Sequence, residues 1–129
     1  NQLKQAFRDM VTNGREVNIT LNVDENCDFD MENDAVGTRD MTLSDELDEW
    51  VLENAFKGNG EVRSGGNGLN VYMRVPVYDP DTGRPRSIKS ETGKLRRFAS
   101  GLLKDKGYTV SEKAASGQYI QLLIQNSRE

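Results

Sequence analysis

The sequence predicts an α+β fold: an N-terminal helix followed by βαβαββ, with two helices packed on one face of a four-stranded, mostly antiparallel or mixed sheet. Three observations predict it. Residues 16–23 and 71–78 alternate apolar and polar side chains, the period-2 pattern of strands with one wet face. Residues 3–11, 43–55 and 95–103 carry apolar side chains three and four apart, the pattern of helices with one buried face. Clusters of glycine, proline and acidic residues separate these segments.

Taken in order, Leu3, Phe7, Met10 and Val11 form the stripe of the first helix, and Asn13-Gly14 stops it. Val17, Ile19, Leu21 and Val23 then face one side of a strand, with Glu16, Asn18, Thr20 and Asn22 on the other. Residues 24–40 are acidic and poor in apolar side chains, which predicts a flexible connector. Thr42 can cap the next helix, whose first turn places Asp45 and Glu46 at the positive end of the helix dipole. Leu43, Leu47, Trp50, Val51 and Ala55 are its buried stripe, and Lys57-Gly58 ends it.

The segment 57–68 is glycine-rich and reads as a loop or an irregular hairpin. Val71, Met73, Val75 and Val77 make the second strand, and Pro76, which has no N–H to donate, suggests an edge or a bulge. A turn sequence follows at 79–83. Leu95, Phe98, Ala99, Leu102 and Leu103 form the cleanest helical stripe, capped by Ser90 or Thr92 and closed by Lys104, Lys106 and Gly107. Segments 108–111 and 118–125 predict a hairpin around 114–117, with Ile120, Leu122 and Ile124 pointing into the core. Several small nucleic-acid-binding domains, Alba among them, share the order βαβαββ; this is an analogy of architecture without a shared motif.

The length of 129 residues suits one domain spanning the chain, with enough apolar residues for a single core. No run approaches the ~18 apolar residues of a membrane span. The chain starts at Asn1 rather than Met, which suggests trimming, and its first residues hold no apolar signal core. Cys27 stands alone, so no intrachain disulfide forms, and a reducing cytoplasm is the simplest compartment. The absence of histidine removes Ser-His and Cys-His nucleophile activation, histidine proton shuttles and most zinc sites.

The charge is divided by position. Residues 1–60 hold 14 acids against 5 bases, whereas residues 61–129 hold 12 bases against 7 acids, so the net −4 hides two opposed halves. Such fields select partners and steer encounter. The basic half concentrates Arg84, Arg86, Lys89, Lys94, Arg97 and Lys104 near the third helix, a row suited to neutralising phosphates. Tyr72, Arg74 and Tyr78 alternate with the apolar side of their strand and form a row on which bases could stack. The alternative for these tyrosines is burial beneath the first helix or beneath the partner in a homodimer. The alternative for the cations is a solvated helix face, and the sequence pI near 5.0 favours it.

The remaining signals point away from catalysis, cofactors and metals. Residues 24–35 resemble a calcium loop in acid spacing only: Phe29 stands where a sharp turn needs glycine, and Ala35 where a bidentate Glu is needed. A nuclease-type magnesium site lacks its acid, because Ser87 stands two residues before Lys89. The glycines of 58–68 follow a helix and precede a strand, the reverse of a phosphate-binding loop. Cys27 lies among carboxylates, which disfavour a thiolate. The expectation is a non-enzymatic module that binds nucleic acid, DNA or RNA, through 84–104. The competing expectation is a protein-binding regulator or inhibitor that engages a basic partner through its acidic half.

Overall fold

Alternation in the first strand decides the centre of the molecule. In β1 (Arg15–Val23), Val17, Ile19 and Leu21 are buried while the residues between them stay accessible. The computed structural model describes residues 14–65, 68–78 and 82–127, and the expected helix over 3–11 lies outside them. Strand β1 is flanked by β5 (Gly68–Val75), antiparallel with Ile19 opposite Val71, and by β7 (Tyr119–Asn126), parallel with Ile19 opposite Ile120. The outer strands are β4 (Gly60–Gly65) and β6 (Tyr108–Ser116), giving a mixed five-stranded sheet in the order β4-β5-β1-β7-β6. A two-stranded ribbon, β2 (Ala35–Val36) with β3 (Met41–Thr42), stands apart from it.

The fifth strand corrects the sequence reading. Of the two readings of 57–68, the hairpin is the one seen: residues 60–65 form β4, antiparallel to β5 and on its edge. Close packing explains the glycines. A side chain at Gly60 would collide with Val51 of the helix above, and one at Gly68 with the Leu21 carbonyl on the neighbouring strand. With the β2–β3 ribbon set aside, the described order becomes β-α-β-β-α-β-β, so the architectural analogy with Alba lapses. Pro76 marks no edge either. Strand β5 is interior and stops at Val75, immediately before it.

Both helices cover the same sheet face. Helix α1 (Leu43–Asn54) is capped by Thr42, whose hydroxyl accepts the Asp45 N–H, and buries Leu43, Leu47 and Val51 above β4. Helix α2 (Ile88–Leu103) buries Leu95, Ala99 and Leu103 beside β6. Its cap is Ser87, which accepts the Ser90 N–H at 3.0 Å; Thr92 lies inside the helix, where its hydroxyl donates to the Ile88 carbonyl. Trp50 and Phe98 stack between the helices with ring centroids 5.8 Å apart. One apolar cluster joins the helices to the inward side chains of β1, β5, β6 and β7. The last hairpin is longer than expected, with β6 and β7 meeting at Gly117 and a bulge between Glu112 and Ala114.

The acidic segment 24–40 also departs from expectation, since it supplies Phe29, Met31 and Val36 to the core. Phe29 packs on Tyr108 at 5.1 Å, and the Gly37 N–H satisfies the Leu102 carbonyl near the end of α2. These residues escaped the sequence reading because two of them sit on irregular backbone and Val36 in a strand of only two residues, too short to show a period. No helix among the described residues is long and apolar enough to cross a membrane.

Candidate binding surfaces

The expected basic row divides once its partners are known. Arg86 Nη1 donates to Glu91 Oε1 at 2.9 Å, and Lys94 Nζ lies 3.4 Å from the same carboxylate. Glu91 is only 8% exposed, so these two cations hold a buried charge in place. Lys89 Nζ lies 3.8 Å from Glu112, but its side chain is mostly exposed. Arg84, Arg97 and Lys104 are exposed and make no ion pair among the described residues. Arg97 and Lys104 stand seven residues apart, two helical turns, on the outward side of α2. The exposed Gly101 between them leaves open space above the helix.

Beside this helix, α1 presents the opposite sign. Asp45, Asp48 and Glu53 are exposed along it, and α1 contains no basic residue. Its inner carboxylate, Glu46, is 3% exposed and accepts from Arg39, which also reaches Glu49 at 3.1 Å. The hydrogen bonds to Glu46, and then to Glu49, raise the Arg39 pKa still further and keep it charged. The charge division of the sequence thus becomes two adjacent helices of opposite sign. Leu52, 58% exposed, follows Asp48 and Glu49 on the outward side of α1.

Tyr72 and Arg74 do not join the basic helix. They alternate with the buried Val71, Met73 and Val75 and so lie on the sheet face that neither described helix covers, with the sheet between them and α2. Arg74 Nη1 donates to the Gly14 carbonyl at 2.9 Å, which leaves its side chain about a quarter exposed. The Arg63 guanidinium sits 5.6 Å over the Tyr72 ring. Tyr78 lies beyond the end of β5, in a bridge with Pro85 on the approach to α2. The nine expected contact residues therefore occupy two surfaces.

The uncovered face holds a shallow groove of about 1040 Å³, lined in part by Glu16, Asn18, Glu61, Tyr72, Arg74 and Tyr119. The sequence reading missed Tyr119, whose phenolic oxygen lies 3.1 Å from Thr20 Oγ1 and 3.4 Å from Gln121 Nε2. These bonds, Thr20 first, lower its pKa. Asn18 Oδ1 is buried here without a partner among the described residues. Alternation along 118–125 was the available signal, because the residues between Ile120, Leu122 and Ile124 had to face outward.

The acids of 24–34 do not converge on a shared point. Among the described residues, no group of three or more His, Cys, Asp or Glu side chains is placed to hold a metal. Asp30 instead closes a turn, its carboxylate accepting from the Asn33 side chain at 2.8 Å and from the Glu32 and Asn33 N–H groups. Those bonds, led by Asn33, lower its pKa. Tyr108 donates to Asp28 Oδ1 at 3.0 Å; burial, then this bond, pushes its pKa up to about 12.

A family described as Domain of unknown function (DUF6175) matches over residues 15–124, from the first residue of β1 into β7. No curated protein and no solved structure matches the chain.

Proposed function

Given that the chain belongs to the DUF6175 family, a domain of unknown function, we propose that it is a small non-enzymatic binding module that contacts nucleic acid through the outward side of α2. One observation carries this reading: Arg97 and Lys104 project from one side of α2, with the exposed Lys89 and Arg84 toward its N-terminal end. Cations in that position can neutralise phosphates without leaving a buried carboxylate uncompensated. Arg86 and Lys94 belong to the support of that surface through Glu91. Tyr72 and Arg74 fall outside it, which leaves the exposed Tyr78, bridged to Pro85 beside Arg84, as the tyrosine of that row nearest the basic helix, so little sequence preference follows. A reducing cytoplasm is the compartment this reading places it in, on the strength of the single Cys27.

Mobility shifts against single- and double-stranded DNA and RNA at about 50 and 200 mM salt test the proposal. Binding should weaken steeply between the two salts, and R97E/K104E should weaken it about equally across sequences. Absence of any shift at the lower salt would discard it. The exposed acids of α1 favour a second reading, a regulator that engages a basic protein partner, and that reading would then take its place.

A further inference from the structure

The outer surface of the helix layer carries a consequence that needs no nucleic acid. We infer that this surface docks a second copy of the same chain, with α1 of each copy laid against α2 of the other. Two like surfaces that face each other across a two-fold axis can meet in two ways. An axis across the helices would set α1 on α1 and α2 on α2, acid on acid and base on base. An axis lying between the helices and along them sets α1 on α2 twice, acid on base each time. Charge selects the second arrangement.

Levels along the helices agree with it. Trp50 and Phe98 stack, so α1 and α2 are level at those residues, and rotation about an axis along the helices preserves that level. At 1.5 Å per residue, Leu52 of one copy then comes down within about 3 Å of the level of Phe98 on the other. That is the middle of α2, where the exposed Arg97 and Gly101 leave room for an apolar side chain. The helices run oppositely, because Glu46 and Leu102 both lie beside Gly37 while Trp50 stacks on Phe98, so Asp45 and Asp48 fall toward Lys104. The docking also gives a role to Leu52, whose 58% exposure is the largest of any big apolar side chain among the described residues.

Sedimentation velocity on the whole chain, without nucleic acid, tests the inference at about 20 and 500 mM salt. The expected result is a reversible dimer at low salt that weakens at high salt. R97E/K104E, and separately D45K/D48K, should each weaken self-association roughly tenfold or more, since every reversal acts at both symmetric contacts. The decisive arm is their equimolar mixture. Acid then faces base at both contacts, so a mixed dimer should form although neither variant dimerises alone. L52S should weaken association without altering its salt dependence, which keeps the test open if a reversed variant fails to fold. A wild-type chain that stays monomeric at several hundred micromolar in low salt overturns the inference. So does a dimer indifferent to the reversals, or a mixture that stays monomeric. Sedimentation without nucleic acid and mobility shifts are separate readouts, so either proposal can fail while the other stands. If both hold, nucleic acid and the second copy compete for α2, and added oligonucleotide should dissociate the dimer.

Discussion

The two faces of the sheet are built from the same strands and behave as different materials. On the covered face, Ile19, Val71 and Ile120 stand side by side and are all essentially inaccessible. One residue further along β1, Thr20 meets Asn70 and Tyr119 through hydroxyl and amide groups within reach of solvent. The covered face owes its stability to apolar area removed from water, about 25 cal/mol for each Å². The open face exchanges hydrogen bonds with water for hydrogen bonds with itself, at small net gain. Charge follows the same division. It is sorted by sign over the helix layer and mixed on the open face, where Arg63 pairs with Glu61 and Arg74 lies near Glu16. Sorted charge acts at a distance, whereas mixed charge acts only on contact.

Neighbouring substitutions in β1 give the largest break in this comparison. I19A should cost about 2–5 kcal/mol of unfolding free energy, because it leaves a cavity at the centre of three strands. T20A, one residue away, should cost less than about 1.5 kcal/mol, since it removes a hydrogen bond that water can replace. Urea denaturation of both variants reads the difference. Equal losses would mean that the open face is buried by something further and that the contrast is wrong.

A smaller effect sharpens the same comparison within the basic helix. R86A should lose about 1–3 kcal/mol, because Glu91 then keeps only Lys94 while remaining buried. R97A, outward and without an ion pair among the described residues, should stay within about 0.5 kcal/mol of wild type. Thermal melts of the pair check this. If R97A proved the costlier change, the division into supporting and outward cations would be mistaken, and Arg97 would be holding the fold rather than facing a partner.

The parts of the fold legible from sequence were those with a period. Alternation in β1 and β7, and the stripes of α1 and α2, foretold most of the buried side chains, down to Ile120, Leu122 and Ile124, although Val23, Trp50, Phe98 and Leu102 are only partly buried. Where spacing carried no period, the reading failed. Phe29 and Met31 sit on irregular backbone and Val36 in a strand of two residues, while β4 lies in a segment read only as a loop or an irregular hairpin, whose glycines serve packing against Val51 and Leu21. The candidate surface was half legible for a related reason. Helical geometry within α2 correctly set Arg97 and Lys104 outward. No local pattern could say that α2 and the Tyr72 side of β5 lie on opposite sides of one sheet, because strand order and helix placement are tertiary facts. Nor could it foresee that a buried Glu91 would hold Arg86 and Lys94.

The smallest effect expected is one of pH, and it sets one tyrosine on each face against the other. Tyr108, on the covered side, donates to Asp28, and burial followed by that bond pushes its pKa up to about 12. Folding therefore favours its protonated form. Its contribution to stability is complete below the ordinary tyrosine pKa of about 10 and is lost as pH rises from there toward 12. Tyr119, on the open side, has hydrogen bonds directed at its oxygen and a lowered pKa, so its contribution has the opposite sign: present at high pH and lost as pH falls. A phenolate absorbance titration should thus show one tyrosine ionising late, a step that vanishes in Y108F. Stability measured at pH 9 and at pH 11.5 should fall less in Y108F than in wild type over this window between the ordinary and the raised pKa. Because the Asp28 bond ties 24–40 to β6, Y108F should also speed amide exchange at Phe29 more than at Thr20. If every tyrosine ionised together near 10, Tyr108 would be neither buried nor bonded to Asp28, and the anchoring of the acidic segment would have to rest on its apolar side chains alone.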